Sequence, residues 1–254
     1  MAFSPDWLAL REPVDHASRD ASLLAQAVAC AGPGTTVVDL GSGTGSTARA
    51  FGETGCTWRF VDGDQALLDI AQERHPGAEQ VVFDLRHIDE LPLDGVRLVT
   101  ASALLDLMPR EWVTALAQRL QDAGIPFYGA LNYNGVMRWS PEHTADAGVT
   151  EAFNAHQLTD KGIGPALGPT SADVTADIFA KHGFDVHLGD SPWQLNGSAA
   201  QLHDDLLVGI GNAAAEAGFA LAQDWVTDRR ATVSGTVGYI GHTDIFAVPH
   251  GMGE

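Results

Sequence analysis

Thr36-Val37-Val38-Asp39-Leu40-Gly41-Ser42-Gly43-Thr44-Gly45 is the stretch on which the fold turns. Val37, Val38 and Leu40 form a β-branched and apolar run that reads as a buried parallel strand. It closes on an acidic residue and then on three glycines at alternating positions. Glycines let the backbone turn sharply and approach a ligand without Cβ atoms in the way. Ser46-Thr47-Ala48-Arg49-Ala50 opens a helix whose first N–H groups point back at whatever the loop holds. The stretch therefore predicts a nucleotide-type ligand site at the carboxyl end of a first strand.

Spacing and the residues downstream refine that reading. The dinucleotide fingerprint is G-x-G-x-x-G; here it is G-x-G-x-G, with Ser46 where that fingerprint wants its third glycine. Trp58-Arg59-Phe60-Val61-Asp62 is a second apolar run ending in an acid, 17 residues past Gly45. An acid at that strand tip accepts hydrogen bonds from ribose hydroxyls, each contributing roughly 1.5–3 kcal/mol when the acceptor is charged. Gln80-Val81-Val82-Phe83-Asp84 repeats the arrangement 22 residues on, and Val96 to Ser102 ends a fourth strand in small residues. A lone aspartate after a strand is commonly a helix cap. Three on successive β-α units, with the glycine loop on the first, point to one ligand.

This set resembles motif I and the following acidic motifs of the class I S-adenosylmethionine (SAM) methyltransferases. The resemblance covers residues 36–102 well and the rest loosely. It implies that Asp39 orders the loop while Gly41, Ser42, Gly43 and Gly45 surround the methionine portion. It further implies that Asp62 holds the ribose with Gly63 and Asp64 beside it, that Asp84 and Leu85 take the adenine, and that Ser102 ends the motif IV strand. Arg19 is placed by the same resemblance on a leading helix, facing the methionine carboxylate; an Asp15–Arg19 surface pair is the alternative. SAM is thus the expected cofactor and S-adenosylhomocysteine (SAH) its product.

Helices and strands alternate along the chain. An apolar stripe through Asp20, Leu23, Leu24, Ala27 and Val28 predicts a helix over 16–31, and further helices follow near 46–54, 65–74, 109–123 and 171–182. Ile125 to Leu131 reads as strand five, Phe184 to Leu188 as strand six and 237–248 as the last. The expectation is one α/β domain over 1–254: a doubly wound, mostly parallel, seven-stranded Rossmann-like sheet. The order 3-2-1-4-5-7-6 is what the resemblance implies. Residues 132–170 and 190–235 exceed the minimal fold and are expected to be helical insertions that build the substrate pocket or a lid. In the second, two amphipathic helices split near Gly218.

The first insertion carries the acceptor-side candidates. Asn132, Tyr133 and Asn134 follow strand five directly, and Phe153 to Lys161 concentrates Asn154, His156, Gln157 and Asp160. In a helix, Phe153, His156, Gln157 and Asp160 share a face. Gly162 to Pro169 then reads as a shaped loop. His156 is a candidate general base because its ordinary pKa lies near neutral; Asp106, shortly after strand four, is the alternative. Tyr133, Trp139 and Trp193 offer aromatic faces to a cation.

Charge narrows the partners. Thirty-three acids against 14 bases give a net charge of −19, which opposes a phosphate-neutralising surface, so bulk nucleic acid is not the expected substrate. No membrane span or signal pattern is read, and a cytoplasmic monomer or homodimer is expected. Cys30 and Cys56 read as core fillers, and the ten histidines show no metal-ligand spacing. The reading is SAM-dependent methyl transfer to an O, N or S nucleophile of a small metabolite. Its rivals are SAM-binding chemistry other than methyl transfer, an NAD(P)-dependent oxidoreductase, and a non-catalytic scaffold.

Overall fold

The computed structural model describes residues 4–251. Its sheet begins with five parallel strands: β1 (Thr36–Leu40), β2 (Thr57–Asp62), β3 (Glu79–Val82), β4 (Val96–Ser102) and β5 (Phe127–Ser140). β6 (Phe184–Asp190), β7 (Trp193–Leu195) and β8 (Val237–Pro249) complete it, all three in antiparallel pairings. The order is β3-β2-β1-β4-β5-β8-β6, with β7 paired to β8 off that path. This is the expected 3-2-1-4-5-7-6 with one short extra strand inside the second insertion.

Two helical layers cover the sheet, as inner strands buried on both faces require. α2 (Ala21–Cys30), α3 (Ser46–Phe51) and α4 (Gln65–Arg74) pack Leu23, Phe51 and Leu68 on one face. α5 (Arg110–Ala123) and α7 (Ser171–Lys181) pack Leu116, Leu120 and Phe179 on the other. α5 starts after Pro109 and stops at Gly124, whose φ of 64° supplies the left-handed cap.

The leading helix departs from the expectation. It is two helices, α1 (Pro5–Ser18) and α2, broken at Arg19-Asp20. Asp20 turns extended and caps α2 by accepting the Leu23 N–H at 2.8 Å; its own N–H goes to Asp244 at 3.0 Å. A capping side chain competes with helix continuation, and here it wins.

Strand five departs too. The Asn132-Tyr133-Asn134-Gly135 stretch continues β5 to Ser140, because β8 is nearly as long and pairs with it from Asn132↔Thr243 to Ser140↔Val237. Two register shifts absorb the turn-forming residues. The first insertion therefore begins after β5, at 141, with α6 (Asp146–Gln157). α8 (Ala200–Glu216) and α9 (Ala222–Ala231) form the second, and together with α6 they bury Trp139, Trp193, Leu207, Trp225 and Ile240 in a third core on the extended β5–β8 ribbon.

Asp244 on β8 is fully buried. Its carboxylate accepts the Leu131 N–H at 2.7 Å, the Tyr128 hydroxyl at 3.0 Å and the Asp20 N–H. Leu131 sits at φ 56°, a strained angle for leucine, and Asp244 pins it there. An amide in this place loses one acceptor oxygen. Asp244→Asn is expected to cost about 2 kcal/mol of stability, read as a shift in urea midpoint; an unchanged midpoint refutes the role.

Candidate functional site

A cleft of about 780 Å³ opens at the carboxyl edge of β1, β2, β3 and β4. The glycine loop forms its floor. Gly41, Gly43 and Gly45 have φ of 61°, 52° and 80°, angles that favour glycine. A Cβ on Gly45 would meet the Phe60 ring at 3.1 Å and His75 at 3.2 Å, so both backbone angle and space require glycine there. Asp62 at the tip of β2 accepts the Gly43 N–H and the Asp64 N–H, each at 2.9 Å. It thereby braces the loop from the side. Gly63, Asp64, Asp84, Leu85 and Ser102 line the same cleft.

Cap and cleft roles coincide at two of the acids. Asp64 caps α4 by accepting the Ala66 N–H at 2.9 Å. Asp84 caps the short 3-10 helix at Leu85–Glu90 and pairs with the Arg86 guanidinium, whose hydrogen bonds hold its carboxyl down at about 2. Asp39 lies behind the loop, 1% exposed. Burial raises its pKa to about 6, while the Thr100 hydroxyl, donating at 2.7 Å, and the charge of Arg19 favour its ionised form. Asp39 and Gly45 support the floor and do not line the cleft.

α1 closes over this floor. Leu8, Arg11 and Asp15 face the cleft, and Glu12 fastens the helix by a salt bridge to Arg49 on α3, with Arg49 Nε donating at 2.6 Å. The Asp15–Arg19 pair does not form. Asp15 is taken by Arg11 at 2.8 Å and by the Trp193 indole N–H at 2.9 Å. Arg19 at the helix break is left facing the cleft, 6% exposed. Its Nη2 donates to Ser102 Oγ at 2.9 Å. Its Nε and Nη1 are sealed from solvent without a partner, as is Ser42 Oγ nearby on the loop. A buried guanidinium with two free donors is costly unless an anion completes it, so these residues fit the carboxylate end of the expected cofactor.

The acceptor-side candidates divide differently from their order in the sequence. Asp106, in the 3-10 turn Leu105–Leu107 after β4, sits behind the lining residues Leu104, Leu107 and Met108 and does not itself line the cleft; its Oδ1 is sealed and unpartnered. Burial raises its pKa to about 6, against the pull of Arg11 and Lys161. The Asp106 charge in turn helps push the Tyr133 hydroxyl up, after burial. Tyr133 donates to Asn154 Oδ1 at 2.7 Å, and Asn154 donates to the Gly135 carbonyl at 3.0 Å. Asn132 is fully buried; its amide donates to the Thr243 carbonyl at 3.0 Å and its Oδ1 is free. Asn134 donates to Thr243 Oγ1 at 3.2 Å. Trp193 is buried with the Arg11 guanidinium 4.9 Å over its ring, while Trp139 packs against Trp225 in the third core.

His156 does not line the cleft. It lies in the last turn of α6 and pairs through Nε2 with Glu216 on α8 at 3.0 Å. Gln157 closes the same helix, packed where a Cβ on Gly168 would meet its backbone at 3.0 Å. Asp160 lies beyond the helix end, so it does not share the face expected for it. Exposed, it accepts the Gly162 and Gly164 N–H groups at 2.7 and 2.9 Å, bracing its own loop. The residues from this segment that do enter the cleft are Lys161 and Ile163, neither singled out in the sequence. The scarcity of lysine was the available signal: Lys161 is one of two, beside twelve arginines. Arg11, Leu104 and Met108 were likewise not singled out for the cleft. Among the described residues no group of three or more His, Cys, Asp or Glu is placed to hold a metal, and no helix is long and apolar enough to cross a membrane.

Comparison with known proteins agrees with this geometry. Residues 37–124 match the family model described as a methyltransferase domain. No curated protein sequence matches the chain. Among solved structures, the cyclopropane synthase MmaA2 of Mycobacterium tuberculosis superposes with a TM-score of 0.54 at 12% identity, covering 96% of this chain and 94% of that one. A putative methyltransferase of Bacillus halodurans gives 0.51 at 15% identity, covering 89% and 96%. A Haemonchus contortus phosphoethanolamine N-methyltransferase, solved with phosphomonomethylethanolamine and SAH, gives 0.51 at 14%, covering 98% of this chain and 60% of that one. At these identities the likeness is one of fold.

Proposed function

We propose that this chain is a class I SAM-dependent methyltransferase that transfers the methyl group of SAM to an oxygen, nitrogen or sulfur of a small-molecule metabolite. The observation that carries the reading is convergence: the glycine loop, Asp62 and the half-free Arg19 all face one cleft. SAM supplies, when bound, a methyl carbon already activated by a positively charged sulfur. The residues present need only bind, align and deprotonate, and alignment contributes much of the acceleration.

In this reading Arg19 and Ser42 hold the carboxylate end, Asp62 the ribose, and Asp84 with the Leu85 N–H the adenine. Asp106 takes the proton from the attacking group. Its support is a sealed, unpartnered carboxylate oxygen close enough to Arg11 and Lys161 of the cleft wall to feel their charge. His156, bound to Glu216, is less well placed for that task. Tyr133, held by Asn154, stands behind the cleft within reach of the Asp106 charge, and Trp193 backs Arg11 of the wall. The net charge of −19 favours a small acceptor over nucleic acid, and a cytoplasmic setting suits both substrates.

Calorimetric titration with SAM, SAH and NAD tests the class. SAM and SAH are expected to bind and NAD not to. NAD binding without a response to SAM would restore the oxidoreductase rival. Methyl incorporation from labelled SAM into a metabolite extract then separates transfer from other SAM chemistry.

A further inference from the structure

We infer that Lys161 is a binding site for an oxyanion, so that the methyl acceptor is a small molecule bearing a carboxylate or phosphate handle beside its nucleophile. This rests on the methyltransferase reading above and specifies its substrate. Three observations lead to it.

The first is the loop that carries the residue. Asp160 fastens Gly162 and Gly164 from below, and those glycines run at φ of 102° and 126°. Ala166 N–H bonds the Thr159 carbonyl at 3.3 Å, and Leu167 N–H reaches the Met108 carbonyl at 2.9 Å. The loop is thereby tied to the segment that carries Asp106. Lys161 is held at the cleft as part of a fixed structure and is half-buried.

The second is what Lys161 bonds. Its ammonium donates to the His156 carbonyl at 3.0 Å and the Thr159 hydroxyl at 3.2 Å, and lies 3.4 Å from His156 Nδ1. None of these is a carboxylate. No carboxylate lies within 4.0 Å of it among the described residues, in a chain with 33 acids. Arg11, the neighbouring cation of the cleft wall, is already spent on Asp15. The other lysine, Lys181, pairs with Asp177 at 2.6 Å on the surface. Glu216 and Asp106 reach Lys161 through their charge alone, so it is, among the described residues, an acceptor-side cation in direct contact with no carboxylate.

The third is the surrounding field. A net charge of −19 repels anions from the surface, so an anionic substrate needs a local, partly desolvated cation to be held. A compact ammonium serves as a point charge for either oxyanion. The handle bound at Lys161 would leave the nucleophile to be presented toward Asp106 on the tied segment.

The test uses the SAH-loaded full chain, titrated with inorganic phosphate and with benzoate at constant ionic strength set by chloride. At least one oxyanion is expected to bind, and which one does distinguishes a phosphate from a carboxylate handle. Its affinity should fall at least tenfold in Lys161→Met and less than threefold in Lys161→Arg, with SAH affinity in both variants within twofold of the parent. Normal SAH binding with no response to either oxyanion overturns the proposal, as does an oxyanion affinity unchanged in Lys161→Met. Failure of SAH to bind the parent chain overturns the methyltransferase reading instead.

Discussion

Asp62→Ala is expected to weaken SAM binding about a hundredfold. In the proposed site the carboxylate serves two clients. It is the ribose acceptor, and its two oxygens also fix the Gly43 and Asp64 N–H groups that hold the glycine loop in shape. Hydrogen bonds to a charged group contribute roughly 1.5–3 kcal/mol each, and about 2.7 kcal/mol is a hundredfold in affinity. Isothermal calorimetry with SAM and SAH reads the loss directly. An Asp62→Ala protein that folds and binds SAM within threefold of the parent would move the ribose elsewhere.

Asp106→Asn is expected to lower kcat/KM for the acceptor by about 10²–10⁴-fold, the range for losing a general base, while SAM affinity stays unchanged. The pH dependence has a defined sign. Burial raises the Asp106 pKa to about 6, and a base works in its ionised form. Activity of the parent should therefore be full above that value and fall as the pH drops through it. The asparagine variant should lack that acid limb. An acid limb that survives the substitution would assign the titration to another group.

The glycine-loop side of the cleft was legible because its signals are local. A strand, its terminal acid and a glycine turn lie next to each other in sequence, so Val38 to Gly45 and Phe60 to Asp64 can be read as units. The acceptor half depends on partners far away in the chain. Asn132 and Gly135 look like turn residues until the long β8 is laid beside them. His156, Asp160 and Lys161 are near neighbours in sequence, yet one pairs with α8, one braces a loop and one enters the cleft. Only tertiary contacts distinguish them. The break at Arg19-Asp20 was hidden for a similar reason, because the group that receives the Asp20 N–H is Asp244, 224 residues away.

The β5–β8 ribbon has a mechanical consequence. The helices α6, α8 and α9 rest on strands that run unbroken from the cofactor half into their own core. Swinging them away as a body would tear the ladder between Met137–Ser140 and Val237–Ile240, at about 1 kcal/mol for each backbone hydrogen bond lost. That side is therefore expected to hold its place. α1 ties this side to the glycine loop: it packs Trp7, Leu10 and Val14 against the third core and is fastened to α3 through the Glu12–Arg49 pair, so one helix clamps the two halves of the molecule together.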